Sequence, residues 1–334
     1  MNIVPDMKSP GLLPTGPELL ISVVVPAFNE AENIPLLYGQ VAAVLEKTVP
    51  GNWELIFVDD GSRDATWSVI TGLAAEAPSV KGARLSRNFG HQYALMAGME
   101  MSKGNAVINM DCDLQHPVEM LPVLIEKWRA GFKVVKTVRR DGRTVGWFKR
   151  WSSRGFYRLF SYLSGVDLQP GMADFRLLDR QALNELMRFR EEGLFLRGLV
   201  EWIGFPSCAI AYRPGERARG RSAYSFRKMV SLAWRGVSSF SILPLRIGIV
   251  LGLIGSLVSA AGVFYAFFGK IFGRGTVPGW ASTLMVISLL FSLLFVYLGI
   301  LGEYISRIVV EVRRRPRYIV GETTGSPQRQ RPHE

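Results

Sequence analysis

Three short groups of acidic and amide side chains have the types and spacing needed to bind a metal ion and a diphosphate. Each group directly follows a predicted apolar strand: Asn29 with Glu30, Asp59 with Asp60, and Asp111 with Asp113. Asp111 and Asp113 are two residues apart, so in an extended segment their carboxylates face the same side. Carboxylates placed in this way suit a hard divalent cation, Mg²⁺ or Mn²⁺.

Two common classes of nucleotide-binding site are disfavoured, because their glycine-rich sequence motifs are missing. The sequence lacks the GxxxxGK[ST] loop, and no GxGxxG follows the first predicted strand, which argues against a P-loop NTPase and an NAD dehydrogenase.

Cys112 and Cys208 are too few for a disulfide framework and suit a reducing compartment. We interpret Cys112, between the two aspartates, as a filler residue and not a nucleophile. Three histidines leave no His-rich metal site.

Apolar, β-branched runs alternate with amphipathic helical patterns through residue 138. Strands are predicted at residues 21–25, 54–58, 80–85, 105–110 and 132–138, with Pro26 ending the first. Helices are predicted at residues 33–47, from Asp64 to about Ala77, at 91–102, and from Pro117 at a first helical position. This alternation predicts an α/β domain with a buried parallel sheet. Ligands of such sheets bind at the carboxyl ends of the strands, so the acidic groups should converge on one rim.

Two long uncharged stretches predict a transmembrane hairpin. The chain is 48% hydrophobic and 20% charged, with a mean hydropathy of +0.16, which favours membrane segments. Residues 247–269 would form a helix of roughly 34 Å, long enough to span, and residues 275–302 form the second stretch. A buried soluble hairpin is the alternative. Basic residues crowd both flanks, so the positive-inside rule places the catalytic domain and both termini in the cytoplasm of an inner-membrane protein.

The net charge of +12 is compatible with several classes of binding partner, and the positions of the basic residues in the sequence reduce their number. The basic segment between Arg139 and Arg158 follows the fifth predicted strand and favours capture of a lipid phosphate, with a solvated loop as the alternative. Residues 222–243 predict one or two interfacial amphipathic helices, or else a helix packed on the catalytic core. Nucleic-acid binding would explain the charge but not the acidic rim or the spans. A flippase or channel subunit would explain the spans but would not need the aspartate pair.

Several ordered motifs give the chain a family resemblance. Segments 25–30, 58–64 and 111–115 (VPAFNE, VDDGSRD and DCDLQ) resemble the three signatures of family 2 glycosyltransferases with the GT-A fold. Segments 86–91, 173–178 and 195–199 (SRNFGH, ADFRLL and FLRGL) resemble the polyprenyl-phosphate branch, which includes dolichol-phosphate mannose synthases and bacterial undecaprenyl-phosphate glycosyltransferases. Segments 301–305 and 315–318 resemble the bacterial two-helix members, and the resemblance runs from about Leu20 to Val320.

The resemblance implies both an architecture and a reaction. The architecture is a Rossmann-like GT-A domain with a mostly parallel sheet, followed by interfacial amphipathic helices and two transmembrane helices. The reaction is an inverting transfer of a sugar from a nucleotide sugar to a polyprenyl phosphate, for modification of cell-envelope glycans. UDP-glucose and undecaprenyl phosphate are the first choice, and GDP-mannose or a UDP-amino-sugar stays open as donor. The cofactor would be Mg²⁺ or Mn²⁺, the assembly a homotetramer, and no nucleic acid would take part. A processive polysaccharide synthase would need more spanning helices and a QxxRW-type motif, which is missing.

The same resemblance assigns residues to the site. The nucleotide sugar would be contacted by Pro26, Ala27, Asn29, Glu30, Asp59 or Asp60, Asp111, Gln115, Arg217 and Arg221. The metal ligands would be Asp111, Asp113 and Gln115, and the acceptor phosphate would be held by Arg139, Lys149 and Ser153. Asp113, Asp174 and Arg139 are the catalytic candidates. Asp174 would orient the acceptor, or else be a buried carboxylate paired with Arg176 or another arginine.

Two positions depart from the family pattern. Ala223 stands where the Gly-x-Ser-Lys-Tyr loop has lysine, so the charge must come from Arg221, Arg219 or Arg217. Ala173 stands where a glycine precedes the Asp-Phe-Arg motif. The predicted domains are a loose N-terminal tail (1–19), the GT-A catalytic domain (20–221), interfacial helices (222–246), the transmembrane hairpin (247–305) and a basic cytoplasmic tail (306–334).

Overall fold

A computed structural model describes residues 19–139, 172–189, 196–213 and 279–324, with scattered positions between 250 and 271. Its strands are β1 (Ile21–Ala27), β2 (Trp53–Asp59), β3 (Val80–Leu85), β4 (Ala106–Asn109), β5 (Val134–Arg139), β6 (Met172–Asp179), β7 (Ser207–Tyr212) and β8 (Val320–Thr323). Its helices are α1 (Asn33–Thr48), α2 (Thr66–Glu76), α3 (His91–Met101), α4 (Met120–Arg129), α5 (Arg180–Arg188), α6 (Leu196–Trp202) and α7 (Trp280–Val312). The described residues divide into two compact units, with α7 in the second and the segment after Arg314 in the first.

The strands form one mixed sheet in the order β7-β5-β6-β4-β1-β2-β3-β8. The pairs β1–β2, β1–β4, β2–β3 and β5–β7 are parallel, whereas β6 runs antiparallel to β4 and β5, and β8 runs antiparallel to β3. The predicted α/β class with a mostly parallel sheet is confirmed. Strands β6, β7 and β8 were not predicted.

Helices cover both faces of the central strands, as the apolar runs require. Alternate residues of β1, including Ile21 and Val23, pack in a core cluster with the apolar stripes of α1 and α4. On the opposite face, α3 lies close to the sheet at Gly98, where a Cβ would approach the Val24 side chain to 2.3 Å. The predicted helices and strands fall within a few residues of those observed, and the differences have local causes.

Pro26 does not end β1, which continues to Ala27. The Val24 carbonyl accepts the Met110 N–H on the β4 side, so the nitrogen of Pro26, two residues on, points to the same side. Because β4 pairs with β1 only as far as Val24, the missing N–H of Pro26 breaks no ladder bond there. Helix α4 likewise begins at Met120 and not at Pro117, since Pro117 opens a turn whose carbonyl accepts the Met120 N–H.

The predicted transmembrane hairpin is supported for one helix. Within the described residues, one helical segment, Leu289–Val312, is long and apolar enough to cross a membrane, and it belongs to α7. This helix continues beyond the predicted end of the hairpin at residue 305. The first predicted span, residues 247–269, lies mostly outside the described residues; those described there, such as Leu253 and Phe264, are helical and exposed. A second span is therefore not confirmed.

The segment predicted as a C-terminal tail contributes a strand to the catalytic sheet. Strand β8 pairs with β3, and the Ser86 N–H donates to the Ile319 carbonyl at 2.9 Å. The Glu322 carboxylate accepts from Trp67 Nε1 at 3.0 Å and from Arg84 Nη1 at 3.2 Å. Thr324 is bonded through its N–H and its hydroxyl to the backbone of Gly82. Sequence analysis missed this strand because its partners are distant in the chain.

We predict that strand β8 stabilises the catalytic unit. A chain ending at Arg317 loses the β8 hydrogen bonds and exposes the edge of β3. At roughly 1 kcal/mol for each of several bonds, the loss should be on the order of 2–4 kcal/mol. The measurement is thermal unfolding in detergent, with a chain ending at Thr324 as the control, because that deletion removes none of the contacts described. Equal melting of the two shortened chains would contradict the prediction.

Candidate active site

A cavity of about 360 Å³ opens at the carboxyl ends of β1, β2 and β4. All three predicted groups contribute to it: its lining comprises Pro26, Ala27, Phe28, Glu30, Asp60, Asn88, Gly90, His91, Asp111, Cys112 and Asp113. The convergence of the acidic groups on one rim is therefore observed. The lining does not include three of the predicted residues: Asn29, Asp59 and Gln115. Each of them is adjacent in sequence or hydrogen-bonded to a lining residue.

Asn29 joins the loop after β1 to the loop after β2. Its backbone is left-handed, with φ of 58°, a conformation that asparagine adopts more readily than most residues. Its N–H donates to Ser62 Oγ at 2.9 Å, and its Oδ1 accepts from the Arg63 N–H at 3.0 Å. The next residue, Glu30, donates its N–H to Thr66 Oγ1 at 2.9 Å. Both loops therefore hold each other in place at the mouth of the cavity.

Asp59 and Asp60 point in different directions. Asp59 is buried; its Oδ1 accepts the Ser62 N–H at 2.8 Å, and its Oδ2 lies 3.3 Å from Arg84 Nε. Asp60 lines the cavity and accepts the N–H groups of Phe89 and Gly90 at 2.8 and 2.9 Å. Burial raises the pKa of Asp60 although both of these bonds favour the carboxylate. Of the two aspartates, Asp60 is the one placed to meet a ligand.

Gly61 allows the loop after β2 to pack against the loop after β3. Its φ is +68°, and a Cβ at this position would lie 2.5 Å from the carbonyl carbon of Arg87. A side chain would therefore push apart the two loops that Asp60 joins.

Asp111 and Asp113 sit in a turn and not in the extended segment that was expected. Leu114 has a left-handed φ of 60°, which bends the chain directly after Asp113. Both carboxylates nevertheless line the same cavity. Asp113 accepts the N–H of Gln115 at 3.1 Å and its Nε2 at 2.8 Å. Gln115 Oε1 in turn accepts from Arg139 Nη1 at 3.2 Å, so one amide links an acidic and a basic candidate.

Two histidines that the sequence analysis did not assign lie beside Asp111. His116 Nδ1 accepts the Asp111 N–H at 3.0 Å, so the neutral ring carries its proton on Nε2, 3.5 Å from Asp111 Oδ2. His91 Nε2 lies 3.4 Å from Asp111 Oδ1. The His116 ring stacks on Phe175 at 4.8 Å, and its burial lowers the His116 pKa. The sequence signals were the place of His91 at the end of the SRNFGH segment and that of His116 directly after DCDLQ.

The cavity concentrates negative charge. Burial raises the pKa of Glu30, and the nearby carboxylates of Asp113, Asp64 and Asp111 raise it further, against a hydrogen bond from Asn33. Within the described residues, no group of three His, Cys, Asp or Glu side chains is arranged to hold a metal ion by itself. The carboxylate oxygens of Asp111 and Asp113 do suit Mg²⁺ or Mn²⁺, which often complete their coordination with substrate phosphates. Burial raises the pKa of the Cys112 thiol far above its usual range, consistent with a filler role.

Asp174 is enclosed by cationic and amide donors. It accepts from Arg176 Nη2, from Arg197 Nε at 3.0 Å, from Arg197 Nη2 at 2.8 Å, and from Gln92 Nε2 at 3.3 Å. Burial alone would raise the pKa of Asp174, but Arg197 and Arg176 outweigh it and hold that pKa well below its usual range. Two roles were predicted for Asp174, orientation of the acceptor or pairing with an arginine, and the structure contains the pairing with Arg176. Lys149, Ser153, Arg217 and Arg221 lie outside the described residues.

Residues 22–187 match the protein-family model described as Glycosyl transferase family 2. This range includes every loop that lines the cavity, as well as Asp174. Among similar proteins, an uncharacterized glycosyltransferase of Bacillus subtilis is 40% identical over 91% of this chain and 94% of its own. A bactoprenol glucosyl transferase of Shigella phage SfII is 38% identical over 92% of this chain and 99% of its own. A solved mannosyltransferase of Pyrobaculum calidifontis, in complex with GDP-mannose and Mn²⁺, is 16% identical over 92% of this chain and 90% of its own, with a TM-score of 0.45.

We predict that Glu30→Gln stabilises the metal-free protein at neutral pH. Because the folded state keeps the Glu30 proton to a higher pH than the unfolded chain, wild-type stability falls as the pH rises above the ordinary Glu pKa of 4.5. Glutamine avoids this loss and can still accept from Asn33. The thermal midpoint of the variant should exceed that of wild type at pH 7, and the gap should close below pH 4.5. Glu32→Gln, an exposed neighbour, is the control. A gap that widens towards acid pH would contradict the prediction.

Proposed function

The chain belongs to glycosyl transferase family 2 and is a glycosyltransferase, and we propose that it moves a glucosyl group from UDP-glucose to undecaprenyl phosphate. The observation that carries the proposal is the cavity at the strand ends, where Glu30, Asp60, Asp111 and Asp113 meet. The acceptor and the sugar are supported by the bactoprenol glucosyl transferases, which match nearly the whole chain. GDP-mannose and UDP-amino-sugars are the alternative donors.

The acidic end of the cavity is proposed to bind the nucleotide. Asp60 and Glu30, with the backbone around Pro26 and Ala27, form the wall for the base and ribose. Asp111 and Asp113 would hold Mg²⁺ or Mn²⁺, and Gln115 keeps the Asp113 carboxylate in place. When bound, the ion supplies Lewis acidity that stabilises charge on the departing diphosphate. Arg217 and Arg221 are proposed to close over the donor phosphates.

The basic end is proposed to bind the acceptor phosphate through Arg139, Lys149 and Ser153. Arg139 is the last residue of β5, and its bond to Gln115 places it one side chain away from Asp113. Guanidinium groups match phosphate oxygens in geometry as well as in charge. This arrangement brings the acceptor phosphate next to the donor diphosphate.

The reaction is proposed to be a direct displacement with inversion. An oxygen of the polyprenyl phosphate forms a bond to the anomeric carbon, while the bond from that carbon to the nucleoside diphosphate breaks and its electrons leave with the diphosphate. A phosphate monoester has a second pKa near 6, so most of the acceptor is already ionised at pH 7. The enzyme therefore needs to position the acceptor more than it needs a strong general base.

The site is proposed to face the cytoplasm at the inner membrane. Leu289–Val312 is one candidate span, and residues 247–269 would supply the second. Basic residues flank both stretches, which favours cytoplasmic termini. Interfacial helices at residues 222–246 and a homotetramer complete the proposal.

The test is transfer of label from a panel of nucleotide sugars to undecaprenyl phosphate by the purified protein. We expect labelled lipid with UDP-glucose, loss of product with EDTA, and recovery with Mg²⁺ or Mn²⁺. Asp113→Asn should lose most of the rate while remaining folded, and Glu32→Gln should keep it. Product from another donor would change the assigned sugar. Absence of product with every donor, or full activity in Asp113→Asn, would refute the reaction or the ligand, respectively.

A second prediction separates the two ends of the site. Asp60→Ala leaves the Phe89 and Gly90 N–H groups without their acceptor, so UDP binding without lipid should weaken by tenfold or more, an order-of-magnitude estimate for charge-assisted bonds. Arg139→Ala should instead raise the KM for polyprenyl phosphate and leave UDP affinity unchanged. Calorimetric titration with UDP and a lipid-dependence curve measure the two effects. If Arg139→Ala abolishes UDP binding and leaves the lipid curve unchanged, the two ends have been assigned in reverse.

A further inference from the structure

Arg84 connects three strands of the sheet in one lateral row. In the register of the sheet, Asp59 on β2 is the neighbour of Arg84 on β3, which in turn is the neighbour of Glu322 on β8. The guanidinium lies between the two acidic side chains, with Nε 3.3 Å from Asp59 Oδ2 and Nη1 donating to Glu322 Oε1 at 3.2 Å. On the other side of β2, Asp59 is the neighbour of Ala27, which lines the cavity. The row therefore runs from the cavity wall to the C-terminal strand.

Arg84 is the cation that balances the buried Asp59 carboxylate. The Asp59 side chain is 0% exposed, and no group of the described residues donates a hydrogen bond to its Oδ2. The contact with Arg84 is thus an ion pair without the direction of a hydrogen bond. A buried carboxylate that loses its cation must take up a proton or move towards water, because an unpaired charge is costly in the protein interior. Either change would disturb the other contact of this carboxylate, the bond from the Ser62 N–H to Oδ1.

Arg84 and Asp59 together hold both backbone groups of Ser62. The Ser62 N–H donates to Asp59 Oδ1 at 2.8 Å, and the Ser62 carbonyl accepts from Arg84 Nη2 at 3.4 Å. Asp60 and Gly61 lie between these two fixed points in the chain. The same guanidinium therefore supports both ends of the turn that carries Asp60 in the cavity lining. Arg84 itself is not among the described residues that line the cavity.

We propose that Arg84 is a positioning residue for the donor site: it aims the Asp60 carboxylate at the nucleotide by holding both ends of the turn that carries it. The proposal rests on the proposed function and deepens it, because Asp60 is there assigned to the wall for the base and ribose. A side chain that contacts a ligand binds it well when supporting contacts keep it in the productive geometry. Glu322 holds the outer nitrogen of Arg84, so the C-terminal strand contributes to this support.

The experiment measures UDP binding by calorimetric titration, with Mn²⁺ and without lipid, for wild type, Arg84→Gln and Arg84→Lys. Arg84→Gln removes the charge that balances Asp59 and should weaken UDP binding by about tenfold. Arg84→Lys keeps the charge but not the fork that reaches three partners, so it should recover part of the loss. The KM for polyprenyl phosphate should be unchanged in both variants, because the lipid phosphate is assigned to the basic end of the site.

A double variant tests whether Arg84 acts through Asp60. Asp60→Ala alone should weaken UDP binding, as predicted above. If Arg84 serves to aim the Asp60 carboxylate, adding Arg84→Gln to Asp60→Ala should weaken UDP binding no further. Full additivity of the two losses would overturn the proposal, since Arg84 would then act on the nucleotide by another route.

The matched control is Lys81→Gln. Lys81 also stands on β3 and pairs with a buried carboxylate of β2, that of Glu54, but at the opposite end of β2. The side chains of Lys81 and Arg84 are 36% and 35% exposed, and their carboxylate partners on β2 are 5% and 0% exposed. Both substitutions should therefore lower the thermal midpoint, whereas UDP binding should weaken in Arg84→Gln and stay unchanged in Lys81→Gln.

Two further results would overturn the proposal. One is unchanged UDP binding in Arg84→Gln; the other is an equal loss of UDP binding in Lys81→Gln, which would mean that lower stability alone causes the loss. If Arg84→Gln does not fold, Arg84→Lys decides the question: weaker UDP binding supports the proposal, and unchanged binding overturns it. Wild type that binds UDP but transfers no sugar to lipid refutes the proposed reaction, and the binding measurements still decide the role of Arg84.

Discussion

Repulsion among carboxylates at the carboxyl ends of β1, β2 and β4 is the constraint on which the site depends. Asp60 is held by two backbone N–H groups and Asp113 by an amide side chain, donors that fix position but add no full positive charge. Burial raises the pKa of Glu30, and the carboxylates of Asp113, Asp64 and Asp111 raise it further. In the proposed function, a cation that arrives with its phosphate ligand balances this charge.

The surroundings of Asp174 are different, because the guanidinium groups of Arg176 and Arg197 enclose its carboxylate. The two regions are close, because Gln92 donates to Asp174 while the adjacent His91 lies 3.4 Å from Asp111, and because His116 stacks on Phe175. In the proposed function, the diphosphate and its cation bind at the acidic end, and the phosphate monoester binds at Arg139. Charge then distinguishes the two phosphates and orients the substrates without a dedicated general base.

Local patterns predicted the strands and helices up to β5, because each apolar run and its following helix are legible within a short window of sequence. Strand β6 was missed since its alternating Asp174 and Arg176 look solvent-exposed, and only their mutual pairing makes them suitable for burial. The turn after Asp113 was missed because a leucine at Leu114 gives no sign of a left-handed backbone. The cavity residues of the three acidic groups were predicted, as was the pairing of Asp174 with Arg176 as one of two alternatives. The contacts of Asp174 with Arg197 and Gln92 depend on residues distant in sequence.

Strand β8 shows why this catalytic sheet is not a separable front half of the chain. Trp67 and Glu322 are hydrogen-bonded across 255 positions of sequence, with α7 between them. Until β8 is synthesised, β3 has an unpaired edge, which is a site for wrong pairing in an incomplete chain. The loop that follows β3 supplies the Phe89 and Gly90 N–H groups that hold Asp60. Strand β8, which follows α7 in the chain, therefore supports β3 and the loop that holds Asp60.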